Sequence, residues 1–119
     1  MADNEFKQPL KAYGALKYVA NATLTSASTS NPTVGVNNGF SSIVRSTTGL
    51  FRLTLAHKAT NLIVQISRQN AAALETHGVS IRAVTASTGV IDIATVLLSG
   101  PSDADTTGIT IHVTVFEVQ

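Results

Sequence analysis

The side chains best equipped for chemistry in this sequence are His57, His77 and His112, the carboxylates Asp103 and Asp105, and a large set of hydroxyls. A metal or proton-transfer site needs imidazoles brought together, which HxH or HExxH spacing achieves on a single strand or helix. Neither spacing occurs, and the three histidines read as lying in a loop, a loop and a strand. His112 alternates with Ile111 and Val113, so it shares a side with Thr110 and Thr114 and suits a polar sheet face or a subunit contact. No GxSxG, P-loop or GxGxxG motif is present, and the acidic residue beside the serine-rich loop has no histidine spaced to complete a triad. No set of acid, base and nucleophile can be assembled, so the chain is not expected to be an enzyme or to need a cofactor.

Asp103, Asp105, Thr107 and Gly108 match the opening of a calcium loop, where alternate side-chain oxygens wrap a hard cation and glycine permits the sharp turn. The twelfth position is Thr114 rather than a bidentate acid, and a strand stands where the exiting helix would be, which excludes an EF-hand. A looser Ca²⁺ site on Asp103, Asp105 and Thr107 is the weaker reading beside a plain acidic turn.

The elements that must carry these residues are short and β-rich. The chain has 119 residues, which is one domain's worth, and it is 44% hydrophobic but only 13% charged, against roughly 25% charged in an average protein. It is too apolar to be disordered. It has no cysteine, so neither disulfides nor Cys-type zinc sites contribute, and its aromatic content of 5% leaves Val, Ile, Leu and Ala to build the core. Scarce aromatics and few Lys and Arg argue against nucleic-acid binding. The opening MADNEFKQPLKA has no apolar core of a secretion signal and no stretch reaches the length of a membrane helix, so synthesis in the cytoplasm and no membrane partner are expected.

Residues 1–12 read as an extended arm, and residues 13–119 as a single β-sandwich. Tyr13 to Leu24 predicts a strand, and the Thr/Ser-rich run from Thr23 to Thr33 favours extended chain. Asn37, Asn38 and Gly39 signal a turn. Phe40 to Arg45 and Leu50 to Ala56, joined through Ser46 to Gly49, read as a hairpin with Phe51, Leu53 and Leu55 on the core side and Arg52 on the other. Leu62, Val64 and Ile66 alternate with Ile63, Gln65 and Ser67, which leaves Ile63 as an apolar exception on the outer side. Gln69 to Gly78 predicts at most one short helix. Val79 to Ala83 and Ile91 to Leu97, joined by Ser87 to Gly89, form a second hairpin. The last strand, Ile109 to Val115, is expected to be central in a sheet, since an edge of that composition would be adhesive. Short β-branched segments between frequent turns define an all-β, antiparallel sandwich.

Sixteen Thr and eleven Ser keep a β-surface wet without charge, which suits a chain partly covered by copies or partners. Residues 1–60 hold six Lys/Arg and two Asp/Glu, whereas residues 61–119 hold two and five. Lys7, Lys11 and Lys17, with Pro9 in the arm, are therefore candidate partner-binding residues, as are the outward Arg52 and Ile63.

The stretch NNGFSSIVRSTTGLFRLTL from Asn37 to Leu55, the polar arm before it and the ending DADTTGITIHVTVFEVQ together resemble small virion proteins of tailed bacteriophages. That group includes capsid decoration (cement) proteins and the knobs of head or tail fibres, often jelly-roll or TNF/C1q-like sandwiches that form trimers. The resemblance implies a homotrimer at the virion capsid surface, bound to the major capsid protein and stabilising the shell. Its alternative is a fibre or tail tip that binds host surface polysaccharide through loops such as Gln69 to Gly78 and Ser99 to Gly108. It carries over no individual binding residue.

Overall fold

The computed structural model describes residues 16–70, 77–100 and 102–118. The described chain forms nine strands: β1 (Leu16–Ala27), β2 (Ser30–Asn38), β3 (Phe40–Thr47), β4 (Leu50–Leu55), β5 (Leu62–Asn70), β6 (His77–Thr85), β7 (Val90–Leu97), β8 (Ser102–Asp103) and β9 (Thr107–Val118). They make two antiparallel sheets. The front sheet has the order β2-β1-β9-β5 and the back sheet β3-β4-β7-β6, with the short β8 also pairing with β7. β8 lies on β4's side of β7, because β4 covers Val90 to Ala94 while β8 covers Val96 and Leu97. The first and last long strands, β1 and β9, are neighbours in the front sheet.

The period-two pattern explains the layering. Ala20, Ala22 and Leu24 of β1 and Ile109, Ile111, Val113 and Val115 of β9 point inward and meet Phe51, Leu53, Leu55, Ile91 and Ile93 of the back sheet. Each of these is nearly or fully buried, and their removal from water is the main favourable contribution to folding. As expected, β9 is central, bonded to β1 on one side and β5 on the other. Both predicted hairpins are present, as β3–β4 and β6–β7.

Two local features differ from the sequence reading, and the turn read at Asn37 to Gly39 is present. No helix occurs among the described residues; Gln69 and Asn70 finish β5, His77 and Gly78 open β6, and residues 71–76 lie outside the described chain. Helix propensity in QNAAALETHG is overridden at both ends by ladder bonds to β9 and β7. The run from Thr23 to Thr33 is not one extended segment but the β1–β2 hairpin, reversing at Ser28 in the left-handed region (φ 57), with its amide donating to the Thr106 carbonyl at 2.8 Å. Asn37 to Gly39 is the corner where the chain leaves the front sheet for the back one. Gly39 has φ 95 there, and an added Cβ would lie 2.9 Å from the Val19 carbonyl oxygen, so glycine alone fits. The arm, residues 1–12, lies outside the described residues.

Candidate interaction surface

The outward side of the front sheet follows from the same alternation. Asn21, Thr23 and Thr25 of β1 stand opposite Thr114, His112 and Thr110 of β9, which stand in turn opposite Gln65, Ser67 and Gln69 of β5. β2 adds Asn38, Val36 and Thr33 to the three rows. Neighbouring side chains hold one another: Thr25 Oγ1 and Thr110 Oγ1 are 3.0 Å apart, Thr23 Oγ1 and His112 Nδ1 3.3 Å apart, and Asn38 Nδ2 donates to Asn21 Oδ1 at 2.9 Å. Among the described residues, this wall contains no Lys, Arg, Asp or Glu.

One end of the wall is apolar. A β-bulge between Tyr18 and Ala20 sets Val19 out of register, so that Tyr18 still shares a side with Phe116, and Phe116 pairs with Ile63. The next outward row is Leu16 opposite Val118. Leu16 is 55% exposed, Tyr18 50% and Ile63 38%, which is high for large apolar side chains on a sheet face. The Tyr18 hydroxyl donates to Asn21 Oδ1 and fixes the ring.

The back sheet's outward side is charged and internally paired. Arg52 and Asp92 are register partners, with Nε to Oδ1 at 2.9 Å and a second bond at 3.2 Å. This fork raises the Arg52 guanidinium above its ordinary value. Arg82 of β6 bonds Asp103 of β8.

Asp105 holds a clasp at one end of the sandwich. It receives both Arg45 Nε at 2.9 Å and Arg45 Nη2 at 2.8 Å, and also the Gly49 amide at 2.8 Å. Arg45 first, and the Gly49 amide next, hold the Asp105 carboxyl below the usual carboxylate range. Thr95 completes the clasp: its amide donates to the Gly49 carbonyl at 2.8 Å and its hydroxyl to the Ala104 carbonyl at 2.6 Å.

The opposite end holds an open cleft between the sheets, in two adjoining parts of about 470 and 310 Å³. Lys58, Ala59 and Glu117 line both parts, with Thr60 and Asn61 in one and Lys17, Tyr18 and His57 in the other. Glu117 accepts the Thr60 amide at 2.7 Å, and the Val118 amide donates to the Asn61 carbonyl at 3.0 Å, which ties the β4–β5 loop to β9. Asn61 is left-handed there, at φ 52.

The structure brings some candidate residues together and separates others. Lys17 and Ile63 lie at the same end of the front sheet, Lys17 toward the cleft and Ile63 on the outward wall. Arg52 sits on the other sheet with its guanidinium already engaged by Asp92. Lys7, Pro9 and Lys11 lie outside the described residues. Asp103 and Asp105 point to different arginines rather than to a shared centre, and Thr107 begins β9. Among the described residues, no three His, Asp or Glu side chains are grouped to hold a metal ion. His77 begins a strand rather than lying in a loop. Leu16, Tyr18, Phe116 and Val118 were not singled out by sequence; each alternates with a charged or small neighbour, but only the β1–β9–β5 register makes them one patch. No protein-family model, curated protein or solved structure matches the chain.

Proposed function

We propose that this chain is a structural subunit of a tailed-bacteriophage virion, a capsid decoration (cement) protein that works as a homo-oligomer, a trimer in the resembling group, on the outer capsid surface. One observation carries the reading: the surface is divided by charge. Among the described residues the front wall carries no Lys, Arg, Asp or Glu, whereas Arg52, Asp92, Arg82 and Asp103 are on the back sheet. Interface cores are depleted in charge, so a wall of hydroxyls, amides and a few apolar groups suits burial against protein. Lys17, His57 and Lys58 line the cleft at the end where β1 begins and outnumber the one acidic group among the described residues there, Glu117. That basic end, together with Lys7 and Lys11 of the arm, complements an acidic capsid surface. Many weak contacts repeated across a shell then act by avidity, with no need for a tight single site.

Purified protein added to isolated capsids lacking it is expected to bind in a fixed ratio and to raise their resistance to heat or osmotic shock. Removal of residues 1–12 is expected to lower occupancy while the circular-dichroism spectrum stays β. Absence of capsid binding overturns the proposal. Adsorption to host cells or their polysaccharide instead favours the fibre-tip reading.

A further inference from the structure

We infer that the outward wall of the front sheet is covered in solution by a second copy of this chain, with the Tyr18–Phe116–Ile63 row as the apolar end of the contact. The inference rests on the reading of the chain as a building block, but it concerns contacts between copies and needs no capsid.

Size comes first. Strands of twelve and nine residues at about 3.3 Å per residue, spaced about 4.8 Å apart, give the four-stranded wall about 650 Å² of projected area. Side-chain relief raises the accessible area above the projected one, toward the roughly 800 Å² per partner of a standard interface. The wall is therefore large enough to support an association without help from other surfaces.

Chemistry then selects the occupant. In a two-fold contact the same face meets its own copy, so a face dominated by one sign of charge repels its twin. Hydroxyls and carboxamides both donate and accept, and can pair with their own kind. This wall consists of such groups and apolar ones, with no Lys, Arg, Asp or Glu among its described residues. An acidic or basic partner would find nothing complementary on it. The back sheet's outward side, by contrast, satisfies its own charges through Arg52–Asp92 and Arg82–Asp103 and can remain in water.

The wall is also prepared for contact. Lateral bonds such as Thr25–Thr110 and Tyr18–Asn21 already hold several rotamers, so less side-chain entropy is lost on association. The exposed apolar side chains of Leu16, Tyr18 and Ile63, the last two flanking Phe116, are costly in a monomer and favourable once covered.

Light scattering on the size-excluded, purified full chain tests the contact. The expected mass is two or more times the 12.4 kDa of one chain. Thr114→Lys places an ammonium at the middle of the wall and is expected to raise the dissociation constant at least about 30-fold, because an unpaired charge is desolvated there. Thr54→Lys, on the back sheet, is expected to leave the mass unchanged. Should Thr114→Lys lose its β spectrum, Tyr18→Ser and Ile63→Ser serve in its place, since both side chains are exposed and outside the core. A wild-type mass of one chain at 100 µM overturns the inference, as does an oligomer that Thr54→Lys dissociates and the wall variants do not. A monomer that still coats capsids overturns this contact and the homo-oligomer while leaving the capsid role standing; an oligomer that ignores capsids overturns the capsid role and leaves the contact standing.

Discussion

Replacing Gly49 by alanine tests the clasp that closes one end of the sandwich. Gly49 is buried in the β3–β4 turn with φ +65, a conformation that costs an L-residue about 1–2 kcal/mol. An added Cβ would sit 2.5 Å from the Ala104 amide nitrogen and 2.7 Å from its carbonyl oxygen, both backbone atoms. Ala104 cannot yield freely, because its amide donates to the Thr95 carbonyl at 2.9 Å and its carbonyl accepts the Thr95 hydroxyl at 2.6 Å. Displacing it loses one or two of these bonds, at about 1 kcal/mol each, so the total cost is about 3 kcal/mol. For a domain of this size that corresponds to a fall in Tm of roughly 10–18 °C. Urea denaturation followed by circular dichroism measures it directly. Gly35→Ala is the matched control: its Cβ would meet only Thr23 atoms at 3.9 Å and its φ is not left-handed, so its effect should stay within about 0.5 kcal/mol. If Gly49→Ala is as mild as Gly35→Ala, the clasp is not rigid and the reasoning fails.

Three further outcomes follow from the same geometry. Asp105→Asn should destabilise the chain at neutral pH, and the gap from wild type should close in acid. The folded-state value of Asp105 is depressed, so its contribution is complete above the ordinary carboxylate value of about 3.9 and disappears as pH falls through the lower folded value; unfolding curves from pH 7 to pH 2 read this, and a constant gap counts against it. Leu53→Ala, at a fully buried position facing the front sheet, should cost about 2–5 kcal/mol by denaturant titration, and a cost below about 1 kcal/mol would show the core to be loosely packed. Chelator or added Ca²⁺ should move the Tm by less than about 1 °C, because Asp105 is held by Arg45 and Asp103 by Arg82; a rise that saturates with Ca²⁺ would restore the cation-loop reading of Asp103, Asp105 and Thr107.

Much of the layering was legible before any coordinates. Phe51, Leu53 and Leu55 against Arg52, and Ile109 to Val115 against Thr110, His112 and Thr114, state their two sides outright, because side chains alternate along a strand whatever its neighbours are. Ile63 stood out as apolar on a polar side for the same reason. At the ends of QNAAALETHG, Gln69, Asn70, His77 and Gly78 are strand, because intrinsic propensity is weak beside the ladder bonds to β9 and β7; its middle, residues 71–76, lies outside the described residues. The half-by-half charge imbalance also concealed its resolution: Arg45 and Arg52 from the first half meet Asp105 and Asp92 from the second.

Local alternation thus settled the class of fold, most of the core residues and which side of each strand is polar, all of which depend on residues one or two positions apart. Which strands adjoin, and in what register, depended on long-range pairing. That pairing turned Leu16, Tyr18, Ile63 and Phe116 into one patch and turned the aspartates of a supposed cation loop into partners of two separate arginines. A side chain's direction follows from its own backbone, whereas its neighbours come from segments dozens of residues away that only the packed sheets bring alongside.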